Sequence, residues 1–526
     1  MPQVLTCGAV LNKAKFKAKG GAMARDITSL RALIESLKDE GELLIIDREA
    51  DPIYEVSGLQ RALEEGPVIL FEKLKGYPGV RNIGNIFSRA DRAARIFGAE
   101  GPQELKLKAL EAVKHPLPPV EVQQAPSQEV VITSGIDVLA TLPIIKHSER
   151  DGDRILGGGV TLIGTELFDG GTHVSFNRMF FRGKDWSSIA FGAGSHMESV
   201  AYITQRGKAL PLTINIGAPP AVMAAAAAGY VHVLEPLGGN ELGMAGALQG
   251  APVELVKAKT VDAYAIAQAE WVLEGYVDAS QRVWETAEAE ALGQEGVAPS
   301  MPEWTGYLGK AYRHPRFQVT AITHRKDRPI FYTPLAYSFE TDIMTTVLTR
   351  GFFQHLADQI RPGLVIDVHS LPGVAAFGSH VIFQVQKRRR SDEGYQRRIL
   401  QAALALAQGL RMVIAVDEDV DIYNTQDLLW AMVTRVNPRA DIVMGVGGGM
   451  GQTLMPLERV GLESGDYRYE GGMAIDATVP FTAKAAFERG RYPVGRIDLS
   501  RWLSQEELRA IRSRQSEHAR LLSQRG

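Results

Sequence analysis

Leucine and isoleucine recur at positions 30, 33, 34 and 37, the spacing of a helix with one apolar face. Asp26 precedes the stripe as a cap and Gly41 follows as a stop. Short apolar runs, "LLIID" and "PVILFEKL", alternate with helical spacing up to about Gly98, which predicts an α/β unit. The segment 115–129, "HPLPPVEVQQAPSQE", is rich in Pro and Gln and reads as a linker. From Val130 to about Val319 glycine-rich, strand-like runs dominate: "VVITSG", "LGGGVTLIGTEL", "HVSFNRMFF" and "LPLTINIG". They predict a mixed barrel or sandwich, interrupted by a helix near 219–230. Beyond about 330 helix and strand alternate again, through "RMVIAVDEDVDIYN" and "TQDLLWAMVTRV", a second α/β unit.

The tail, "SQEELRAIRSRQSEHARLL", predicts a helix with a capping box of Ser504 and Glu507 and a staple of Leu503 on Leu508. Its apolar stripe, Leu508, Ile511, Ala519 and Leu522, must lie on its own domain or on a partner subunit. The expected division is a disordered leader at 1–22, an amino-terminal unit at 23–114, the linker, a central unit at 130–325, a carboxyl-terminal unit at 326–500 and a tail helix at 501–526.

A chain of 526 residues exceeds one hydrophobic core, in keeping with this division. A net charge of −3 gives no electrostatic footprint for nucleic acid. The single cysteine, Cys7, rules out an intrachain disulfide framework, and with no secretory signal in view a cytoplasmic location is expected. The longest uncharged stretch, 209–234, is broken by Pro211, Asn215, Pro219 and Pro220. It predicts a strand and a buried Ala-rich helix rather than a membrane span.

Candidate chemistry begins at 173–186, "HVSFNRMFFRGKDW", where Asn177, Arg178 and Arg182 interrupt a run fit for a buried strand. Amide and guanidinium groups are costly to bury without partners. Two further polar islands follow: "GAGSHMESV", with Ser195 and His196, and Glu241 inside "PLGGNELGMAGALQG". Asn177, His196 and Glu241 supply two oxygens and one nitrogen, a set suited to Mn²⁺ or Mg²⁺. Spacing alone, 19 and 45 positions, favours satisfied core groups over ligands. The loop "EGVAPSMPEWTGY" carries Glu295 and Glu303. They read either as solvated glutamates or as a carboxylate pair tuned by a nearby arginine. "GVGGGMG", 445–451, lacks the Lys-Ser/Thr of a phosphate loop and reads as a turn.

Taken in order, "NRMFFR", "IGAPP", "NELGMAGALQGAPVELVK", "AEWVLEG", "EGVAPSMPEWTGY", "VDEDVDIYNTQDLLWAMVTRVNP" and "GGMAIDATVPF" resemble the UbiD family of prenylated-FMN-dependent (de)carboxylases. The resemblance runs from Met23 over nearly the whole chain. It implies an α/β multidomain protein whose central unit is a split β-barrel of flavin-reductase type. It also implies Mn²⁺ or Mg²⁺ held by Asn177, His196 and Glu241 at the cofactor phosphate, with Arg178 and Ser195 beside the cofactor and K⁺ as a further ion.

The family places an arginine for the substrate carboxylate five residues beyond the asparagine, which is Arg182 here. Glu303 falls in register with its proton donor, and Glu295 stands as the second acid, expected to hold Arg182. Asn177 and Arg182 have opposite strand parity, so a bulge or strand end is expected between them. The implied reaction is reversible decarboxylation of an unsaturated, aromatic or heteroaromatic acid with release of CO2. A homodimer or homohexamer and a flavin prenyltransferase as cofactor supplier are implied partners. The competing readings are a metal-dependent hydrolase without flavin and a non-catalytic UbiD-like subunit of a carboxylase complex.

Overall fold

The computed structural model describes residues 25–524 except 164–172, 193–208, 229–240, 374–378, 408–409, 446–455, 457–470 and 491. The predicted leader and most of "GVGGGMG" lie outside the described residues. In the amino-terminal unit, α1 (Leu30–Asp39) buries Leu30, Leu33, Ile34 and Leu37. Its cap is Ser29, whose hydroxyl accepts from Ala32 N. Asp26 instead accepts from the backbone and hydroxyl of Thr28, three residues too early to serve the helix. Strands β1 (Leu43–Ile46), β2 (Val68–Phe71) and β3 (Arg81–Gly84) form one sheet, and Ile330–Tyr332 adds to β3 as its fourth strand. That last strand lies beyond the expected boundary at 325, so the chain returns to the first unit after the barrel is built. Helix α2 (Pro102–Lys114) completes the unit.

The central sheet contains β4 (Gly159–Ile163), β5 (His173–Phe176), β6 (Met179–Phe181), β7 (Trp186–Ile189), β8 (Leu210–Ile216), β9 (Trp271–Trp284) and β10 (Arg313–His324). Their order is β5-β4-β8-β9-β10-β7-β6, all antiparallel, with residues 130–132 pairing along β10. β5 and β6 therefore stand at opposite edges, yet only Asn177 and Arg178 separate them in sequence. A link that short forces the sheet to curl until its edges meet. Leu156 and Met179 exchange backbone hydrogen bonds of 3.1 Å in both directions and close the gap. The strand end expected between Asn177 and Arg182 is thus present, at 177–178.

Curvature also comes from a bulge at Gly275 in β9, where a Cβ would lie 2.1 Å from the Gln318 carbonyl oxygen. The barrel is packed on one side by α3 (Pro220–Ala227), every residue of which is buried, and by α4 (Glu241–Gln249). Where it is described, the uncharged stretch is strand and helix as predicted, its last residues, 229–234, lying outside the described residues. Among the described residues no helix is long and apolar enough to cross a membrane. The short helix α5 (Ala287–Leu292) follows β9.

Helix α6 (Phe339–Ile360) runs from the barrel to the carboxyl-terminal unit, lying against α2. At its start Glu340 accepts hydrogen bonds from Asn85 N (2.9 Å), Ile86 N (2.7 Å) and the Tyr332 hydroxyl (3.2 Å). The last sheet holds β11 (Val365–His369), β12 (His380–Val385), β13 (Met412–Asp417), β14 (Ile442–Met444) and β15 (Met473–Ala477), in the order β11-β12-β13-β15-β14. Its three inner strands are parallel. Alternate residues face α6 and α7 (Tyr395–Leu406) on one side and α8 (Thr425–Arg435) on the other.

The tail departs from the single predicted helix. α9 (Gln505–Arg514) carries the Ser504–Glu507 capping box as expected. Extended backbone at Gln515 then ends it, and Ser516 caps a separate helix, Glu517–Gln524.

Candidate active site

The two residues that link the barrel's edges are both polar. Asn177 is buried and fixes the closure: its Oδ1 accepts from Ser175 Oγ (2.8 Å) and its Nδ2 donates to the Ala190 carbonyl (2.9 Å). Arg178 turns inward. Its Nε and Nη2 donate to the two carboxylate oxygens of Glu285 at 2.7 and 3.1 Å, a bidentate pair, and its Nη1 donates to Glu303. Nη2 also reaches the Lys310 carbonyl at 3.3 Å.

Two carboxylates from separate elements thus meet one guanidinium. Glu285 sits where β9 ends and Thr286 caps α5, and it is fully buried. Glu303 sits in a tight turn closed by Glu303 N donating to Tyr307 O (2.8 Å) and Gly306 N to Glu303 O (2.9 Å). Gly306 holds φ +81°, which an L side chain rarely adopts. Room for the Glu303 carboxyl is made at Gly309, where a Cβ would come within 2.7 Å of its Oε1.

Charge is balanced by contact here. Burial opposes the Arg178 charge, but Glu285 and Glu303 outweigh it and hold the guanidinium firmly protonated. Burial likewise pushes the Glu285 carboxyl up, and Arg178 with His314 brings it below the usual carboxylate range. His314, 3.5 Å from Glu285, is pushed down to about 4 by burial, so it is neutral at pH 7.

The expected site residues are distributed differently from their spacing. Arg182 pairs with Glu290 of α5 at 2.7 Å rather than with Glu295. Glu295 is exposed and accepts from Arg313 N at 2.8 Å. The three residues of β6 separate Arg178 from Arg182, and the break at 177–178 decides which of them turns in. Glu285 was not singled out from the sequence, although "WETAEAEAL" carries a signal: a carboxylate just before a helix cap, at the close of an apolar strand. Ser195 and His196 lie outside the described residues. Glu241, at the start of α4, is 5 % exposed and its Oε1 lies 2.8 Å from His173 Nδ1 in a hydrogen bond, while among the described residues its Oε2 meets no hydrogen-bond partner.

Three family models match consecutive parts of the chain: the amino-terminal (34–109), Rift-related (119–337) and carboxyl-terminal (342–477) domains of 3-octaprenyl-4-hydroxybenzoate carboxy-lyase. A gallate decarboxylase of Lactiplantibacillus plantarum is 32% identical over 495 residues, 89% of this chain and 98% of the relative. The chain belongs to the UbiD family. It is accordingly a carboxy-lyase, and the UbiD architecture extends to solved structures. The apo 3,4-dihydroxybenzoic acid decarboxylase of Enterobacter cloacae superposes with a TM-score of 0.78 at 32% identity, covering 91% of this chain and 99% of that one. An evolved dimeric form of the UbiD-class enzyme HmfF from Pelotomaculum thermopropionicum, in complex with prFMN, gives 0.76 at 27% identity, covering 90% and 100%.

Proposed function

We propose that this UbiD enzyme catalyses reversible, non-oxidative decarboxylation of an aromatic or heteroaromatic acid with prenylated FMN as cofactor. The observation that carries the reading is the Glu285–Arg178–Glu303 set at the closure of the barrel. Relatives named for gallate and for 3,4-dihydroxybenzoic acid support an aromatic substrate, and the prFMN complex of HmfF supports the cofactor. A buried carboxylate with one unpartnered oxygen, Glu241, fits a cation at the cofactor phosphate, and Mn²⁺ or Mg²⁺ suits its oxygen. When bound, the prenylated flavin supplies an electron sink for the carbon that loses CO2.

The chain's own residues then divide the work. Arg178 binds the substrate carboxylate, taking the part that the family resemblance gave to Arg182. Glu285 holds the guanidinium through two hydrogen bonds, the part expected of Glu295. A substrate carboxylate on Nη1 competes with Glu303 for the same donor. With its hold on Arg178 weakened in a buried turn, the Glu303 carboxyl shifts toward its neutral form, since burial penalises the anion. It is then an acid able to protonate the carbon that has lost CO2. The exchange loads the proton donor only when a carboxylate is present.

Exposed apolar side chains on the carboxyl-terminal unit, Val433 (82 %), Tyr492 (82 %) and Trp502 (79 %), support a homodimer or homohexamer formed through that unit. A cytoplasmic location and cofactor supply by a flavin prenyltransferase complete the reading.

The test is Glu303→Gln in protein produced with a prenylated-flavin supply. Turnover of aromatic acids, read as released CO2, is expected to vanish while the bound-flavin absorbance stays. Decarboxylation at the parent rate overturns the assignment.

A further inference from the structure

We infer that His173 together with Glu241 binds a divalent metal ion, so that an imidazole occupies the place that the family resemblance gave to the Asn177 amide. The inference deepens the function just proposed and rests on it for the ion's role at the cofactor.

Three observations support it. First, Asn177 is engaged at both ends of its amide, by Ser175 and Ala190, in holding the barrel's edges together. Recruiting it to an ion would undo the closure. Second, His173 opens β5 at the sheet edge and faces the first turn of α4, where its Nδ1 lies 2.8 Å from Glu241 Oε1. A nitrogen and an oxygen, each about 2.1 Å from an octahedral ion and adjacent in its shell, lie about 3 Å apart. The pair is already spaced as neighbouring ligands. Third, Glu241 Oε2 is buried without a hydrogen-bond partner among the described residues, a costly state for a carboxylate oxygen unless a cation meets it.

The arrangement agrees with the inward arginine. Arg178 stands five positions after His173, the interval that the family resemblance had set between Asn177 and Arg182. Both ends of the site are displaced by the same four positions. Five steps of chain, four residues of β5 and the break at 177–178, reach at most about 16 Å, room to set the ion and the guanidinium at opposite ends of a flavin nucleotide. An imidazole also changes the metal preference. Nitrogen favours Mn²⁺, Fe²⁺, Co²⁺ and Zn²⁺ over Mg²⁺ more strongly than an amide oxygen does.

The test uses the full-length protein, stripped of metal and titrated with Mn²⁺, with free ion read by electron paramagnetic resonance. His173→Ala is expected to weaken Mn²⁺ binding by about tenfold or more. Asn177→Ala is expected to bind Mn²⁺ within about threefold of the parent while melting at lower temperature. His173→Asn, which keeps a neutral ligand of smaller reach, should regain part of the Mn²⁺ affinity and shift preference toward Mg²⁺. Parent-like Mn²⁺ binding by a folded His173→Ala protein, or loss of binding confined to Asn177→Ala, overturns the inference. If Mn²⁺ binding depends on His173 but no aromatic acid is decarboxylated, the metal site stands and the proposed function falls. If decarboxylation proceeds and His173→Ala binds Mn²⁺ like the parent, the metal site falls alone.

Discussion

Replacing Arg178 by Met leaves the fully buried Glu285 carboxylate with Tyr312 N at 2.9 Å and His314 at 3.5 Å, and no cation. Removing one partner of a buried ion pair costs about 3–5 kcal/mol, because the surviving charge stays desolvated. The cost must depend on pH. In the parent Arg178 holds the Glu285 carboxyl low, so the stability tied to it is present at neutral pH and is lost as pH falls through the carboxylate range. In the variant burial acts without that cation and raises Glu285, which takes up a proton in mild acid and sheds its unpaired charge. The deficit is therefore expected to be about 3–5 kcal/mol at pH 7.5 and to narrow toward pH 5. Urea unfolding followed by tryptophan fluorescence reads it, since four of the six tryptophans, 186, 271, 284 and 304, lie in the central unit. The double variant Arg178→Met/Glu285→Gln should recover the share of the loss that belongs to Glu285 at pH 7.5, the share of Glu303 remaining. An equal deficit at both pH values, or a double variant no better than the single, would refute the charge argument.

Gly309→Ala places a methyl 2.7 Å from the Glu303 carboxyl and 2.8 Å from Ser300 Oγ. With the carboxyl displaced, kcat is expected to fall by about 100-fold with little change in melting temperature, and a parent-like kcat would show that Glu303 position is immaterial. Glu340 is pushed up to about 7 by burial, against the backbone N–H groups of 85–87 and the Tyr332 hydroxyl that favour its anion. A value raised in the fold gives stability that is present below the ordinary carboxylate range and lost as pH rises through about 7. The parent should melt lower at pH 8 than at pH 5.5, and Glu340→Gln should flatten that slope; an unchanged slope removes Glu340 as its source.

Much of the architecture was legible because it follows from local periodicity. The stripe at 30, 33, 34 and 37 is buried as read, the Ser504–Glu507 box caps its helix, and the strand break inside "FNRMFF" follows from the parity conflict. The site was less legible because it depends on long-range closure. Which of two arginines four apart turns inward is set by an edge-to-edge join that no local pattern encodes. Glu285 was missed since it lies 107 positions from Arg178 and outside the loop that holds Glu303. His173 was read as the start of a strand, although it is the partner of a buried glutamate 68 positions away.

Because Arg178 precedes its counterions by 107 and 125 positions, it leaves the ribosome well before either carboxylate exists. At about 5–20 residues per second, Glu303 follows after roughly 6–25 s. During that interval the arginine belongs to an unfinished sheet and must stay hydrated. The Glu285–Arg178–Glu303 set is consequently among the last parts of the barrel to consolidate during synthesis, and a nascent chain halted before position 285 has no anion in this set with which to settle the arginine.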